Sequence, residues 1–294
     1  MTIQGIDTSK YTDDYKTPKT VDWNRCNEAG CRFVIMRATL GLTQQDVVYK
    51  LHSEALKGLL PRGSYHYYRT NASITEQVKY YYDFAGRLEI APVMDLEDYY
   101  KELPKGQPLI DITERFLDEC DQKFQQKTIL YTGPNIIKNY MRLPAGHRLT
   151  KRPLWIAHYG TKKPQIAPWT DYVLHQYSET VDDQGRDATY YGFNECHALD
   201  MNYFNGDEFD FEEFAGGKLT EPVDPDPNPS DEFLLTAKIE MNVRSGPSVR
   251  SPRIGTLPQG STVKPRGVAG SDAWVEIGTD RWVCAKQGDT QYLV

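Results

Sequence analysis

The segment Pro92-Val-Met-Asp95-Leu-Glu97 carries the clearest chemical signal in this 294-residue chain. An apolar approach ends in two carboxylic acids one residue apart. Side chains alternate along a strand, so Asp95 and Glu97 face the same side with Cα atoms about 7 Å apart. Two more acids end or follow similar runs: Asp7 closes Gln4-Gly-Ile-Asp7, and Asp200 lies in Ala198-Leu-Asp200-Met-Asn-Tyr203. Four carboxylates around one space repel one another when ionised, so at least one is expected to hold a proton near neutrality. One residue type then supplies both an acid and a base. The pair suits glycoside hydrolysis, in which one carboxyl protonates the leaving oxygen and a carboxylate stabilises or captures the oxocarbenium-like centre. The rival chemistry is a divalent cation held by oxygens alone, but nothing phosphate-binding accompanies the acids. Single strand-end acids commonly cap helices or turns, and Asp22 and Asp98 are read that way.

These acids act together only if the fold gathers them. Strand-like runs rich in β-branched or aromatic residues fall at 4–7, 33–38, 63–68, 91–97, 128–131, 154–159, 173–177 and 199–203. Eight is the count of a closed barrel. Helical patterns at 44–57, 74–85 and 109–124 separate the early runs, the last placing Leu109, Ile112, Phe116, Cys120 and Phe124 on one stripe. Such alternation implies a mostly parallel sheet. The later connections, 161–170 and 182–187, are rich in Pro, Gly and Asp and read as loops, so the second half is expected to lack most helices. A parallel barrel keeps its chemistry at the C-terminal strand ends, and closure makes the first and last strands neighbours.

The 20 tyrosines outnumber the 10 phenylalanines, and many aromatics fall on expected strand ends, where flat rings can stack on sugar faces, although Tyr and Trp in strands more often simply pack. These include Tyr65-His-Tyr-Tyr68, Tyr131, Trp155, Tyr159 and His175-Gln-Tyr177. No histidine has metal-binding spacing; His66, His158 and His175 are expected as donors at the mouth, and His52, His147 and His197 on the surface. Gly-x-Ser-x-Gly, a phosphate-binding loop and a dinucleotide fingerprint are all absent.

Prolines at 222, 225, 227 and 229 mark an acidic spacer, read as a linker over 218–232. Residues 1–217 carry 25 basic against 31 acidic residues, a balance of −6; residues 233–294 carry 8 against 5, or +3. Apolar runs broken by Ser245-Gly246-Pro247, Pro258-Gln259-Gly260 and Gly270-Ser271-Asp272 make 233–294 a small all-β domain. The five scattered cysteines form no C-x-x-C pair, which argues against both a disulfide framework and a zinc site. The overall charge of −7 speaks against a general nucleic-acid binder, and no run approaches the roughly 18 apolar residues of a membrane span.

Residues 1–217 resemble the glycoside hydrolase family 25 lysozymes. The likeness runs through Gly5-Ile-Asp7-Thr-Ser9, Phe33-Val-Ile-Met-Arg37-Ala-Thr39, Gly63-Ser-Tyr-His-Tyr-Tyr-Arg69, Pro92-Val-Met-Asp95-Leu-Glu97, Leu130-Tyr-Thr132, Leu154-Trp-Ile-Ala-His-Tyr159, His175-Gln-Tyr177 and Leu199-Asp200. The resemblance implies an irregular, TIM-like (β/α)5(β)3 barrel of the α/β class that cleaves the β-1,4 bond between N-acetylmuramic acid and N-acetylglucosamine in peptidoglycan. It further implies Glu97 as proton donor, and Asp95 as nucleophile or as the group steering the substrate's acetamido oxygen. Asp7 and Asp200 would tune that pair, and Tyr67, Tyr131, Trp155, Tyr159 and Gln176 would contact saccharide. The family is regarded as retaining; a carboxylate separation of about 5 Å would agree with direct attack, and a longer gap with substrate assistance or an inverting water. No cofactor or metal is expected.

The tail is similar to bacterial SH3-like (SH3b) wall-binding domains, on Met241-Asn-Val-Arg-Ser-Gly-Pro-Ser248, Trp274-Val-Glu-Ile277 and Arg281-Trp-Val283, and departs from them at Cys284-Ala-Lys286. A basic module on an acidic enzyme suits an anionic wall. The combination resembles phage endolysins, with a leaderless bacterial autolysin as the nearest variant. The start Met-Thr-Ile-Gln-Gly lacks the layout of a signal peptide. The expectation is therefore residence in the host cytoplasm before lysis and action at the wall, with peptidoglycan as partner, no nucleic acid and no membrane insertion. A wall-binding lectin without turnover is the alternative of another class; the presence of all four acids argues against it.

Overall fold

The computed structural model describes residues 3–13, 21–194, 196–216, 235–248, 250–263, 267–269, 274–278, 281–287 and 290–291. The chain divides into two compact units, Met1–Gly217 and Lys218–Val294. The 218–232 linker lies outside the described residues.

In the first unit the elements run β1 (Ile3–Thr8), α1 (Trp23–Glu28), β2 (Cys31–Leu40), β3 (Gln44–Gln45), α2 (Tyr49–Leu56), β4 (Arg62–Tyr67), α3 (Ile74–Ala85), β5 (Val93–Asp95) and α4 (Gln107–Phe124). They continue with β6 (Ile129–Thr132), a π-helical turn at Ile136–Met141, a 3-10 turn at Arg148–Lys151, β7 (Leu154–Ala157), β8 (Leu174–Ser178), β9 (Asp200–Phe204) and α5 (Glu208–Ala215). Hydrogen bonding follows the order β1-β9-β8-β7-β6-β5-β4-β2, and a β1–β2 ladder closes the ring of eight strands. All ring pairs are parallel except the two made by β9, which runs antiparallel to β8 and β1. Among the described residues the connections from β6 to β9 hold no regular α-helix, only the π-helical and 3-10 turns, in line with the loop-rich second half.

The alternation of side chains sorts the strands into two cores. One face of each strand packs outward on the helices, as Val34, Met36, Met94, Leu130 and Ile156 do with Phe116, Leu117 and Cys120 of α4. The other face fills the ring with Ile3, Phe33, Ile35, Val93, Ile129, Leu174 and Phe204, and α5 adds Phe211 to this inner cluster. Gly5 sits on the inner face because a Cβ there would come within 2.5 Å of the Phe33 ring. The inner faces are apolar at the N-terminal ends of the parallel strands, so the polar residues are left for the opposite mouth.

Local chemistry sets the boundaries. Asp22 caps α1 by accepting from the Arg25 N–H at 3.0 Å, and Ser73 caps α3. The helix expected from residue 44 begins at Tyr49 instead, because Gln44–Gln45 pair with the end of β2. Beyond them the Asp46 carboxylate holds the turn through the backbone N–H groups of Val48 and Lys10. The strand expected over 91–97 is ordered as a ladder only at Val93–Asp95, but the Leu96 N–H still donates to Tyr131 O at 3.0 Å. Thr132 Oγ1 also donates to Leu96 O at 2.9 Å, so the alternation carries on to Glu97.

The second unit holds a five-stranded antiparallel sheet, β10 (Met241–Arg244), β11 (Arg253–Leu257), β12 (Gly267–Ala269), β13 (Trp274–Gly278) and β14 (Arg281–Cys284), in the order β11-β10-β14-β13-β12. Short pairs join Leu235–Thr236 to Thr262–Val263 and Lys286–Gln287 to Thr290–Gln291. Ala237, Met241, Val243, Val275, Val283 and Ala285 form its core. Ala285, within the departure from the wall-binding pattern, is thus a packing residue.

Candidate active site

A pocket of about 240 Å³ opens at the C-terminal ends of the parallel strands. Five carboxylates line it: Asp7, Asp95, Glu97, Glu179 and Asp200. Asp7 comes from β1, Asp95 from β5, Glu97 from just past β5, and Asp200 from β9. Asp200 is the first residue of its strand, yet it reaches the mouth because β9 runs against its neighbours and pairs Asp200 with Asp7.

Asp7 is held by two amides. Its Oδ2 accepts from Gln176 Nε2 at 2.8 Å and from Asn202 Nδ2 at 2.7 Å. Asn202 Oδ1 in turn accepts from Trp155 Nε1 at 2.7 Å, and because indole nitrogen only donates, this bond fixes which way the Asn202 amide points. Gln176 Oε1 accepts from the hydroxyls of Tyr131 and Tyr159, each at 2.8 Å. The aromatic residues therefore orient amides, and the amides orient the acid.

Burial pushes Asp7 up to about 6 against the pull of its two amide donors. Burial, followed by Asp7 and Glu179, raises Glu97 to about 7. Burial, then Asp7, Glu179 and Glu97, raises Asp200 to about 9. Asp95 is driven well above the usual carboxylate range by burial, Glu97 and Asp7, with Arg37 pulling the other way. Asp95 Oδ1 is buried without a hydrogen-bond partner among the described residues. The mouth is thus a proton-sharing set at neutral pH: it can give a proton, and its proton distribution responds strongly to any charge that enters.

Of the residues expected to contact saccharide, Tyr131, Trp155, Tyr159 and Gln176 line the pocket. Tyr67 is not among its lining residues; Tyr65, one inward position earlier on β4, is. The Tyr67 hydroxyl donates to the Glu97 backbone carbonyl at 3.2 Å and so braces the acid's main chain. None of the three histidines expected at the mouth lines the pocket. His66 faces the helices, bonded to Thr39 and Gln77 and stacked on Phe116, because position 66 alternates to the outer face. His52, expected on the surface, is only 1% exposed, with Nε2 2.9 Å from Asp13 Oδ2 and its ring edge-on to Trp23. Asp98, read as a turn residue, accepts from Leu103 N–H and the Tyr140 hydroxyl.

Sequence reasoning passed over Glu179, Asn202 and Arg37. Asn202 was reachable, since it follows Asp200 by two and shares its face. Glu179 lies just beyond β8, where alternation no longer applies. Arg37 continues the inner face of β2 after Ile35 and pairs with Asp46 at 2.8 Å. Among the described residues no group of three or more His, Cys, Asp or Glu converges closely enough to hold a metal ion, and no helix is long and apolar enough to cross a membrane.

Comparison with known proteins agrees with this architecture. Residues 240–289 match the bacterial SH3 domain. The autolytic lysozyme of Clostridium acetobutylicum is 27% identical over 241 residues, covering 80% of this chain and 65% of that protein. This chain therefore spans slightly less than two thirds of that relative. The lysozyme of Streptomyces coelicolor superposes with a TM-score of 0.62 at 23% identity, over 74% of this chain and 98% of that one. The endolysin catalytic domain from a bacteriophage of Listeria monocytogenes gives 0.52 at 20% identity, over 74% and 98%. At such identities the structural likeness speaks to fold. Residues 6–186, more than half of the sequence and three of the four expected acids, match the model of the glycosyl hydrolases family 25, and the chain belongs to that family.

Proposed function

We propose that the barrel is a muramidase, hydrolysing the β-1,4 bond between N-acetylmuramic acid and N-acetylglucosamine in peptidoglycan. The observation that carries this reading is the convergence of Asp95 and Glu97 on one pocket walled by Tyr131, Trp155 and Tyr159. Glu97, half-buried and raised to about 7, gives its proton to the departing sugar oxygen. Asp95 faces the positive centre that develops at the sugar carbon, and a water oxygen bonds there to complete the hydrolysis, leaving a proton on a carboxylate of the mouth. In the free protein the deeper Asp95 competes for the shared proton, and a cationic centre beside it reverses that ranking by favouring its ionised form. Asp7, steadied by Gln176 and Asn202, and Asp200 set the potential in which this exchange occurs.

The second unit, which matches a bacterial SH3 domain and has three more basic than acidic residues over 233–294, holds the protein on the anionic wall. The chain thereby works as a wall-lytic enzyme of the endolysin kind, made inside the host and released onto the wall. Incubation with purified peptidoglycan, with mass analysis of the new reducing ends, tests the reading. Reducing N-acetylmuramic acid ends that vanish with Glu97→Gln are the expected result. N-acetylglucosamine ends, or undiminished release by the variant, would overturn the assignment.

A further inference from the structure

Glu97 lines two cavities. Beside the acid pocket lies a second one of about 610 Å³, whose wall runs from Glu97 through Lys101 and Lys105 to Asn135, Ile136 and Tyr140. A polymer strand lying across Glu97 has both cavities within its reach. The two differ in sign. The first has five carboxylates and no Lys or Arg in its lining. The second adds Lys101 and Lys105 to a lining whose acids are Glu97 and Asp98. Against the push of burial, the Leu103 N–H at 3.0 Å, the Tyr140 hydroxyl at 2.7 Å and Lys105 hold the Asp98 carboxyl below the usual range, so it keeps its charge. Glu97 is raised toward its neutral form, and the two cations thus face one standing carboxylate.

Both lysines line this space. Lys105 Nζ stands 4.5 Å from the centre of the Tyr140 ring and acts on the Asp98 carboxylate beside it. Lys101 adopts φ 56°, a left-handed conformation uncommon for a residue with a Cβ, in a turn closed by its N–H to Asp98 O at 3.1 Å. Both follow Glu97 within eight residues, so the loop that carries the proton donor also carries the cations.

We propose that this second cavity is a specificity subsite for a carboxylate on the substrate strand, bound by Lys101 and Lys105 while Glu97 engages the scissile bond. The proposal rests on the muramidase reading and deepens it. A wall strand offers such carboxylates in two places, on the lactyl group of the sugar and on the attached peptide.

The test measures kcat/KM on peptide-free and on peptide-bearing glycan strands, each intact and with its carboxylates converted to neutral methylamides. The wild-type protein should prefer the intact form of at least one strand type by about tenfold, the scale of a charge-assisted hydrogen bond. Lys101→Gln/Lys105→Gln should bring that ratio close to one, and Lys101→Arg/Lys105→Arg should keep most of it. The strand type that shows the effect identifies the carboxylate. Lys162→Gln/Lys163→Gln, an equal charge change on another loop, should leave the ratio in place. A wild-type ratio of one in both strand types, a ratio that survives the Gln pair, or an equal fall with the Lys162/Lys163 pair overturns the subsite. Absence of new reducing ends from every strand would instead overturn the muramidase reading. Melting curves of all variants show whether a lost ratio comes with a lost fold; in that event the ratio measured for the Lys105→Gln single change, on an exposed side chain, decides between the two.

Discussion

Asp7 and Asp200 face each other across an antiparallel ladder between the first and last strands of the barrel. A parallel last strand would have put its first residue at the opposite end, among the apolar side chains. The reversal of β9 places a carboxyl directly beside another that already carries two amide donors. Burial and charge repulsion then raise Asp200 to about 9, above both Asp7 and Glu97.

That placement costs stability, and the sign follows from proton linkage. Between about pH 4 and 9 the folded state keeps a proton on Asp200 that the unfolded chain has released, so stability falls as pH rises through this window. Asp200→Asn should therefore raise the Tm of the barrel at pH 8 by on the order of 5 °C and leave it nearly unchanged at pH 3.5. Calorimetry at the two pH values checks this; an equal shift at both would remove the electrostatic explanation.

Activity should follow the proton on Glu97. With its carboxyl raised to about 7, kcat/KM on soluble glycan should decline as pH climbs through that value. Glu97→Gln should lower kcat by roughly 10²- to 10⁴-fold, the usual contribution of general acid catalysis. A pH profile that stays flat from 5 to 9 in the wild-type protein would contradict the assignment of Glu97 as the acid.

The amides that hold Asp7 should act through it. Gln176→Ala removes one of two donors and leaves the Tyr131 and Tyr159 hydroxyls without their shared acceptor. The Asp7 carboxyl should move upward from about 6, and kcat should fall by about tenfold. Titration of the Asp7 carboxyl by NMR distinguishes this from simple loss of a sugar contact, which would leave its midpoint in place.

Below the site, Gly5→Ala should destabilise the barrel by about 1–3 kcal/mol, because the new methyl overlaps the Phe33 ring inside a filled ring of strands. Denaturant melts report the loss. Phe33→Leu in the same chain should recover part of it by vacating the space.

Removal of residues 235–294 should leave cleavage of soluble glycan fragments unchanged while lowering lysis of whole cells, since tethering raises the local concentration of enzyme on the wall. Turbidity clearing and reducing-end release, measured side by side, separate the two effects. Equal clearing by the shortened chain would remove the targeting role of the second unit.

Much of this was legible in the residues. Eight strand-like runs correspond to the eight strands of the ring, and the Asp95/Glu97 pair follows from alternation alone, a local property that needs no knowledge of partners. The helix stripe from Leu109 to Phe124 was equally readable, because 3.6-residue periodicity is carried by neighbouring positions. Errors arose where the deciding contact is distant. His52 looked like a surface residue until Trp23 and Asp13 covered it. Tyr65 and Tyr67 share an inner face, and which of them meets the pocket depends on how far each lies from the mouth.

The sequence by itself determined that two carboxyls must share a face and that an alternating chain would raise a sheet to carry them. Only the tertiary structure decided that β9 turns back, that Asn202 and Gln176 converge on Asp7, and that Glu179 joins the mouth. Periodicity records which side of its own strand a residue occupies. Strand direction and register depend on hydrogen bonds between segments nearly two hundred residues apart, and only the closed ring specifies those.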